Sequence, residues 1–273
     1  MTLTRGEVLD LLERHHLRPS RALGQNFVTD PNTVRRIARL ADVGPGDQVV
    51  EVGAGLGSLT LALAETGASV TAIEVDRYLV PVLRSVVEGT GVEVVEGDAL
   101  RMDWGALLGD EPWVLVANLP YNIATPLVAE SLDGLPGVAL WCVMVQREVA
   151  DRFFAEPETK AYGAVSVLVQ LAAERTGFHP VSRNVFRPRP NVDSALVAFR
   201  RRGALPADYP RLKAVVGAAF AHRRKQMPNS IELAGLASRE QAAEALARIG
   251  RDPSTRAEAL APEEFLALTN ALE

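Results

Sequence analysis

The sequence predicts an α/β fold in which a doubly wound parallel sheet is followed by a small all-helical domain. Through residues 31–118, short β-branched segments alternate with segments of helical periodicity, which is the pattern of such a sheet. Polar or glycine residues follow each of these strands, and open α/β sheets bind ligands at that edge. Residues 204–273 carry helical patterns without strand patterns, so a separate helical domain is expected there.

Local signals predict the first elements in chain order. Asp30 and Pro31 form a helix start, in which an N-cap carboxylate precedes a proline at the first helical position. Pro81 fits a helix only within its first turn. After the helix that begins at Pro31, the patterns predict strands over 48–52, 69–73, 92–95 and 113–117, with helices over 58–65 and 78–87.

The second half is predicted from apolar runs, a linker and three helical patterns. Further strands are expected over 139–145, 164–171 and 193–199, and helices over 211–221, 238–249 and 262–271. Residues 200–210 contain three arginines, one glycine and two prolines, which favours a linker. We therefore expect a sheet domain over 1–203 and a helical domain over 204–273. A helix break or a new helix start is expected near Pro228, because proline lacks the N–H that a helix interior uses.

The composition is that of a globular protein with a hydrophobic core. The chain has 273 residues, of which 48% are hydrophobic and 23% charged, and these values exclude a disordered chain, a collagen-like rod and a disulfide scaffold. The single cysteine, Cys142, lies in an apolar run, so we expect a buried thiol, a reducing compartment and no metal site. No apolar run reaches the roughly 18 residues of a membrane span. A cytoplasmic protein without a membrane partner is predicted.

Charge is unevenly distributed along the chain. The net charge is −5 overall, but residues 45–134 carry 14 acidic and 3 basic side chains, and residues 185–225 carry 10 basic and 2 acidic ones. An acidic small-molecule pocket beside a polyanion-binding face would produce this asymmetry. An arginine-rich solvated surface is the alternative.

A glycine loop follows the first predicted strand of the sheet. Gly53, Gly55 and Gly57 form G-x-G-x-G, with Glu51 two residues before the first glycine. A dinucleotide fingerprint would place its third glycine where Ser58 stands. The observed spacing is instead typical of Rossmann-like methyltransferases that bind S-adenosylmethionine, a cation without phosphate, and it makes Gly53 and Gly55 candidate cofactor contacts. Binding of a nicotinamide cofactor is the alternative.

Two acidic residues end the next strands. Glu74 follows Gly53 by 21 residues, and a carboxylate at this place can accept hydrogen bonds from both ribose hydroxyls. NAD enzymes use the same arrangement, so Glu74 does not separate the two cofactors. Asp98 can accept a bond from the adenine amino group, or it can serve only to solvate a loop.

Asn118-Leu119-Pro120-Tyr121 ends the fourth strand and indicates methyl transfer to an adenine amine. The side-chain oxygen of Asn118 and the carbonyl of Leu119 can accept both amine N–H groups, while Pro120 stiffens the loop. The ring of Tyr121 offers a stacking surface for a base that has left its RNA stack. Because the sulfonium is a good leaving group, positioning supplies most of the catalysis.

Four segments together resemble the ribosomal RNA adenine dimethyltransferases, and they occur in that family's order. They are Gly24-Gln25-Asn26-Phe27-Val28, the glycine loop, Asn118-Leu119-Pro120-Tyr121-Asn122 and Phe186-x-Pro188-x-Pro190-x-Val192-Asp193-Ser194. The resemblance extends over nearly the full chain and is closest to the bacterial small-subunit branch. It implies S-adenosylmethionine as methyl donor and dimethylation at N6 of two adjacent adenosines in the hairpin loop near the 3′ end of 16S rRNA. It also implies a Rossmann-like domain followed by a small helical domain.

The resemblance further implies the roles of individual residues. The family's cofactor contacts fall on Asn26, Val28, Gly53, Glu74, Asp98 and Asn118. Phe186 would be a second aromatic wall for the base, with core packing as the alternative. RNA contacts are expected from Arg187, Arg189, Arg223, Arg224 and Lys225. Two positions depart from the family's usual residues, since Val28 stands in place of leucine and Ala54 in place of proline.

Three alternatives to a small-subunit enzyme remain open at this point. The first is a 23S rRNA adenine methyltransferase of the macrolide-resistance kind, which shares the cofactor and base-holding motifs. The second is a ribosome-assembly factor that acts chiefly by binding the immature small subunit. The third is an NAD-dependent oxidoreductase, which Ser58 and the lack of a recognisable hydride-transfer acid or base disfavour. Nothing in the sequence requires more than a monomer.

Overall fold

The computed structural model describes residues 2–109 and 112–272. The chain folds into two compact units. The sheet unit comprises the residues up to Ala150 together with Arg175–Arg201, and the helical unit comprises Asp151–Glu174 together with the residues from Arg202 onward. None of the helices in the described ranges is both long enough and apolar enough to cross a bilayer.

Within the described residues, nine strands form two sheets. In chain order they are β1 (Phe27–Val28), β2 (Gln48–Val52), β3 (Ser69–Glu74), β4 (Glu93–Glu96), β5 (Trp113–Asn118), β6 (Val138–Gln146), β7 (Ala173–Val181), β8 (Phe186–Arg187) and β9 (Ser194–Arg201). The main sheet has the order β4-β3-β2-β5-β6-β9-β7, and β1 pairs with β8 in a separate ribbon. The first five strands of the main sheet are mutually parallel, and β9 runs antiparallel to β6.

Twelve helices accompany the strands in the described residues. They are α1 (Arg5–Arg14), α2 (Pro31–Ala41), α3 (Ser58–Ala64), α4 (Val80–Val86), α5 (Trp104–Leu108), α6 (Ala124–Gly134), α7 (Arg147–Phe153), α8 (Ala164–Ala172), α9 (Tyr209–Ala221), α10 (Met227–Leu233), α11 (Arg239–Arg248) and α12 (Pro262–Ala271). The predicted α/β class with a parallel sheet is confirmed.

The start of α2 shows how local sequence fixes an element that bounds the site. The carboxylate of Asp30 accepts the backbone N–H of Thr33 at 2.9 Å, and Pro31 occupies the first turn. The buried side chains of α2 lie at helical spacing, namely Val34, Ile37, Ala38 and Ala41. They pack in a core cluster with apolar residues of β2 and β6, so α2 covers one face of the sheet.

The prediction of a strand over residues 164–171 is wrong, because these residues form α8. The run Ala164–Ala172 is apolar on nearly all sides, and a short buried run of this kind has no periodicity that separates a helix from a strand. The hydroxyl of Ser166 accepts the N–H of Gly163 at 3.1 Å and thereby caps the helix. The strand of this region is β7, which begins directly after the helix.

The division between the units also differs from the expected one. The sequence predicts a sheet domain over 1–203, whereas residues 151–174 belong to the helical unit. Two hydrogen bonds hold this insertion within that unit. Tyr162 Oη donates to the carbonyl of Leu260 at 2.7 Å, and the N–H of Glu158 donates to the carbonyl of Glu258 at 2.8 Å. The helix start predicted near Pro228 is confirmed, since α10 begins at Met227 with the proline in its first turn.

Arg201 ends β9 and secures the connection between α6 and β6. Its guanidinium donates to the carbonyls of Val138 at 2.8 Å, Leu132 at 2.9 Å and Leu135 at 3.0 Å. It also lies over the ring of Trp141, 4.9 Å from its centroid. The residues that supply these carbonyls are buried, so one half-buried cation satisfies three main-chain acceptors.

Arg201→Ala should lower the free energy of unfolding by about 3 kcal/mol, because it leaves buried carbonyls without a donor. Chemical denaturation of the whole chain measures the loss. Arg200→Ala is the matched control, since Arg200 is exposed on the same strand and its removal should cost less than about 0.5 kcal/mol. Equal losses for the two variants would contradict the role given to Arg201.

Candidate active site

A cavity opens at the carboxyl ends of β2, β3, β4 and β5. Its walls come from the loops that follow these strands and from the segment that leads into β1. The lining residues are Leu23, Gly24, Gln25, Asn26, Phe27, Val28, Glu51, Val52, Gly53, Ala54, Gly55, Leu56, Ser58, Leu59, Ile73, Glu74, Val75, Leu79, Gly97, Asp98, Ala99, Asn118, Leu119, Pro120, Tyr121 and Ile123. Every residue predicted to contact the cofactor is among them.

The glycine loop turns tightly at the floor of this cavity. Gly53 and Gly55 have φ angles of 75° and 59°, a region that residues with a Cβ rarely adopt. A Cβ on Gly55 would also approach the ring of Phe27 to 3.1 Å. The N–H groups of Gly53 and Ala54 both donate to the carbonyl of Ile73, at 2.9 and 3.1 Å. The bond from Ala54 is one that the family's proline cannot form.

Glu74 is a buried carboxylate in the cavity that accepts two backbone N–H groups. It is 4% exposed, one oxygen accepts the N–H of Gly55 at 2.7 Å, and the other accepts the N–H of Asp76 at 2.9 Å. Burial raises the pKa of Glu74, and the two backbone bonds oppose the rise. Each carboxylate oxygen has a second lone pair, so acceptor capacity remains for a ligand's hydroxyl groups.

Glu51 is a second buried acid in the cavity wall. It is 1% exposed, and its Oε2 atom has no hydrogen-bond partner among the described residues. Burial raises the pKa of Glu51 to about 8, the side chain of Thr60 opposes the rise, and the nearby Glu74 charge adds to it. A buried carboxyl oxygen without a partner disfavours the anion, and it favours any ligand that brings positive charge or a donor to this wall.

The charge of the residues that line the cavity fits S-adenosylmethionine better than a dinucleotide. The described lining residues include the three acids Glu51, Glu74 and Asp98, and they include no lysine, arginine or histidine. A lining with acids and no basic side chain favours a cation over a pyrophosphate. Within the described residues, the basic group in contact with these acids is the exposed guanidinium of Arg101, 3.6 Å from Asp98. The glycine spacing alone leaves the choice between the two cofactors open. The charge of the cavity favours S-adenosylmethionine.

The segment before β1 closes the cavity on the side of Asn118. Asn118 Nδ2 donates to the carbonyl of Asn26 at 3.0 Å, and Asn26 Nδ2 donates to the carbonyl of Gly24 at 2.9 Å. The amide of Gln25 donates to Asp76 Oδ2 at 2.8 Å. Because the nitrogen of Asn118 is engaged in the first bond, its oxygen is the atom left to accept a bond from a substrate.

The loop after β5 is held by its backbone. The N–H of Leu119 donates to the carbonyl of Met144 at 3.0 Å, and the carbonyl of Pro120 accepts the N–H groups of Ile123 and Ala124, both at 3.1 Å. Leu119 is buried, whereas Asn118, Pro120 and Tyr121 are partly exposed. The loop therefore presents its polar atoms and the tyrosine ring from a fixed main chain.

Phe186 differs from the expectation of an aromatic wall. It is 4% exposed, packs in the core cluster that contains Val28 and is not among the described lining residues. Its backbone pairs with Val28 across the β1–β8 ribbon. Its side chain therefore packs in the core beside the strand that carries Val28. Core packing, the alternative reading from the sequence, describes its place.

The residues predicted to contact RNA occupy two different settings. Arg187, Arg189, Arg224 and Lys225 are exposed. Arg223 is also exposed, but its guanidinium donates to the carbonyl of Tyr162 at 2.8 Å and lies 3.8 Å from the carboxylate of Glu258 within the helical unit. Asp98, which is predicted to contact the cofactor and not RNA, also has partners within the protein. They are the N–H of Leu100 at 3.0 Å and the guanidinium of Arg101 at 3.6 Å.

Three residues of the site carry no assigned role in the sequence-based prediction. Glu51 stands in the glycine motif, and its position two residues before the first glycine is a usable signal. Ser194 ends the fourth family segment, but its partner Tyr121 is 73 residues away, and no local pattern reveals that bond. Gln25 lies in the first family segment, and its bond to Asp76 likewise depends on the fold.

Glu51→Gln should change how stability depends on pH. Burial places the pKa of Glu51 in the folded chain at about 8, against 4.5 for the unperturbed side chain. The folded chain therefore holds the proton more tightly. The stabilisation that Glu51 contributes to the folded state is therefore present in full below about pH 4.5, and it is lost as the pH rises through about 8. Between about pH 6 and about pH 8.5, the free energy of unfolding should therefore decline less in the variant than in the unchanged protein, by on the order of a few kcal/mol. Chemical denaturation at the two pH values measures this decline.

Glu88→Gln is the matched control, because Glu88 is exposed and its removal should leave the decline as it is in the unchanged protein. Part of the decline should persist in Glu51→Gln, since burial also raises the pKa of Glu74. An equal decline in the unchanged protein and in Glu51→Gln would show that Glu51 is ionised at neutral pH.

Sequence comparisons agree with this geometry. The family model for ribosomal RNA adenine dimethylase matches residues 17–273. A ribosomal RNA small subunit methyltransferase A from Rubrobacter xylanophilus is 48% identical over 252 residues, covering 92% of this chain and 94% of the relative. A protein of the same name from Streptomyces coelicolor is 46% identical over 269 residues, covering 95% and 93%.

Solved structures of RNA methyltransferases are also similar to this chain. The 23S rRNA methyltransferase ErmE aligns with a TM-score of 0.65 and 30% identity, over 90% of this chain and 99% of that structure. A dimethyladenosine transferase from Plasmodium falciparum aligns with a TM-score of 0.72 over 88% and 94%. At 22% identity, the latter supports the fold alone. The chain belongs to the ribosomal RNA adenine dimethylase family, whose members are methyltransferases that depend on S-adenosylmethionine.

Proposed function

We propose that this protein transfers methyl groups from S-adenosylmethionine to N6 of two adjacent adenosines in the 3′-terminal hairpin loop of 16S rRNA, during assembly of the small subunit. The observation that carries the proposal is the position of Asn118–Tyr121. This loop lies on the wall of an acidic cavity in which a cationic methyl donor fits. The small-subunit assignment is supported by relatives of that name at 42–48% identity.

The acidic cavity holds the donor. When bound, S-adenosylmethionine supplies a methyl group on a positively charged sulfur that is a good leaving group. Glu74 would accept the ribose hydroxyls, and Asp98 would accept the adenine amino group. Gly53 and Gly55 allow close approach of the backbone, and Asn26 and Val28 line the same wall. Glu51 adds a negative or neutral acceptor according to its protonation.

The loop after β5 orients the target amine. Asn118 Oδ1 and the Leu119 carbonyl would each accept one N–H of the adenine amino group. Two acceptors fixed in space draw the nitrogen toward tetrahedral geometry, so that its lone pair points at the methyl group. The carbonyl of Asn26 holds the Asn118 amide at 3.0 Å, which keeps the oxygen in place. Orientation of this kind can supply much of a rate enhancement.

Tyr121 receives the base after it leaves the RNA stack. Tyr121 lines the cavity and is partly exposed, so its ring would be accessible to a base. Stacking on an aromatic side chain stabilises an extruded base by about 1–3 kcal/mol. This offsets part of the unstacking cost that such enzymes meet.

Exposed basic residues would hold the RNA backbone. Arg187 and Arg189 lie on the exposed side of the segment that follows Phe186, and Arg224 and Lys225 are exposed in the helical unit. Arg223 would contribute less, because it already donates to main-chain carbonyls.

A 23S rRNA methyltransferase is the second candidate, favoured by the 30% identity to ErmE. The fold, the cavity and the loop of Asn118 suit either RNA, so an assay on both subunits decides between them. An assembly factor that only binds the subunit is the third, and the complete set of cavity residues disfavours it.

Asn118→Ala should reduce methyl transfer by at least about 100-fold, because the amine loses the acceptor that orients it. The assay follows labelled methyl groups from S-adenosylmethionine into unmethylated small and large subunits in parallel, and it maps the modified bases. Asn32→Ala is the control, since Asn32 is exposed on α2 outside the cavity. The unchanged protein and the control should yield dimethyladenosine near the 3′ end of 16S rRNA.

Each other outcome of this assay would overturn a distinct part of the proposal. Label confined to 23S rRNA would assign the protein to the large subunit. No label in either subunit, with the cofactor still bound, would favour an assembly factor. Full transfer by Asn118→Ala would remove the orienting role of its amide.

Replacing both Arg224 and Lys225 with glutamate should weaken binding to the small subunit. It should also reduce the salt dependence of binding, because fewer phosphate contacts mean that fewer counterions are released when the complex forms. The affinity for S-adenosylmethionine should change by less than about twofold, since neither residue lines the cavity. Binding is measured across a salt series, with Arg239→Glu as an exposed control on α11. Equal losses for both ligands would mean that the pair supports folding and not RNA binding.

A further inference from the structure

A hydrogen bond joins the tyrosine of the substrate loop to the edge of another strand. The hydroxyl of Tyr121 lies 3.0 Å from that of Ser194. We infer that Ser194 is a positioning residue, which fixes the tilt of the Tyr121 ring and so presents its face to the target adenine. The inference rests on the proposed function, in which Tyr121 receives the base.

Ser194 is on a rigid part of the sheet. It is the first residue of β9, it is 1% exposed, and it pairs with Gln146 at the end of the antiparallel β6. A buried serine on a paired strand has little freedom beyond the rotation of its hydroxyl. A functional side chain held from a regular element is oriented more accurately than one held from a loop.

The preceding residue fixes Ser194 from the other side. The carbonyl of Asp193 accepts the N–H of Arg147 at 3.0 Å. The carboxylate of Asp193 accepts both the N–H of Arg183 at 3.0 Å and its guanidinium at 3.1 Å. Those bonds from Arg183 hold the pKa of Asp193 below its usual range. The chain therefore enters β9 through a closed loop, and the place of the Ser194 hydroxyl is set by that loop and by β6.

Tyr121 needs such an anchor because its backbone is fixed by the loop, whereas its ring lies in a partly exposed site. Its backbone follows Pro120, whose carbonyl is bonded to Ile123 and Ala124, so the start of the side chain is fixed. The ring extends into a partly exposed site and has a polar contact at its far end in the bond to Ser194. Stacking depends on the face that the ring presents. A phenylalanine would have no hydroxyl with which to fix that face.

The test compares Ser194→Ala, Tyr121→Phe, the double variant and Ser194→Thr. Single-turnover methyl transfer to unmethylated small subunits is measured at saturating S-adenosylmethionine and subunits, and cofactor affinity is measured separately. Each single variant should slow transfer about tenfold. The double variant should be no slower than either single one, because all three lose the same bond. Ser194→Thr keeps the hydroxyl and should stay within about twofold of the unchanged protein.

A purely structural role for Ser194 would give a different result. Ser131→Ala is the control, since the buried hydroxyl of Ser131 accepts the indole N–H of Trp141 at 2.8 Å, away from the cavity. It should lower the melting temperature and leave the transfer rate unchanged. Ser194→Ala should instead slow transfer while the affinity for S-adenosylmethionine stays within about twofold.

Three results would overturn the inference alone. They are full transfer by Ser194→Ala, additive losses in the double variant, and a loss of cofactor affinity in proportion to the loss of rate. No transfer to small subunits by the unchanged protein would overturn the proposed function and this inference together, so the two failures can be told apart.

Discussion

The site depends on the parallel register of β2 between β3 and β5. Val52 stands opposite Ile73 on one side and Ala117 on the other. The next residues along the three strands are Gly53, Glu74 and Asn118, so the glycine loop, the buried acid and the amide proposed to orient the substrate begin at one level of the sheet. A shift of β3 or β5 by one residue would turn these side chains to the other face. Sheet pairing therefore assembles the cofactor and substrate sides together.

Part of this arrangement follows from the sequence. Glu74, Asp98 and Asn118 were predicted to end strands, and parallel strands bring their carboxyl ends to one edge. Other features depend on contacts between distant segments. The bond between Tyr121 and Ser194 spans 73 residues. The place of Phe186 follows from its pairing with β1, and the helix over 164–172 lacked a polar face that would have revealed its period.

Buried acids in the cavity oppose stability and favour ligand binding. Glu51 and Glu74 are nearly inaccessible, and burial raises the pKa of each. Desolvated carboxylates near each other repel when both are ionised. A cation bound near Glu51 would remove part of that repulsion and favour the ionised form. In the proposed function, binding of a cationic donor would therefore be coupled to proton release from these acids.

In the proposed function, the same acids would also determine how RNA approaches the cavity. A phosphate at the cavity would meet desolvated carboxylates and no basic side chain among the described lining residues, whereas an extruded adenine is neutral. The cavity thus admits the base and excludes the backbone, and the cations that hold the backbone must stand outside it. Arg187 and Arg189 meet this requirement, because they are exposed beside the segment that Arg183 and Asp193 close. In the proposed function, the charge asymmetry of the sequence therefore corresponds to two binding surfaces, with acidic strand ends for a cationic cofactor and exposed arginines for the RNA backbone.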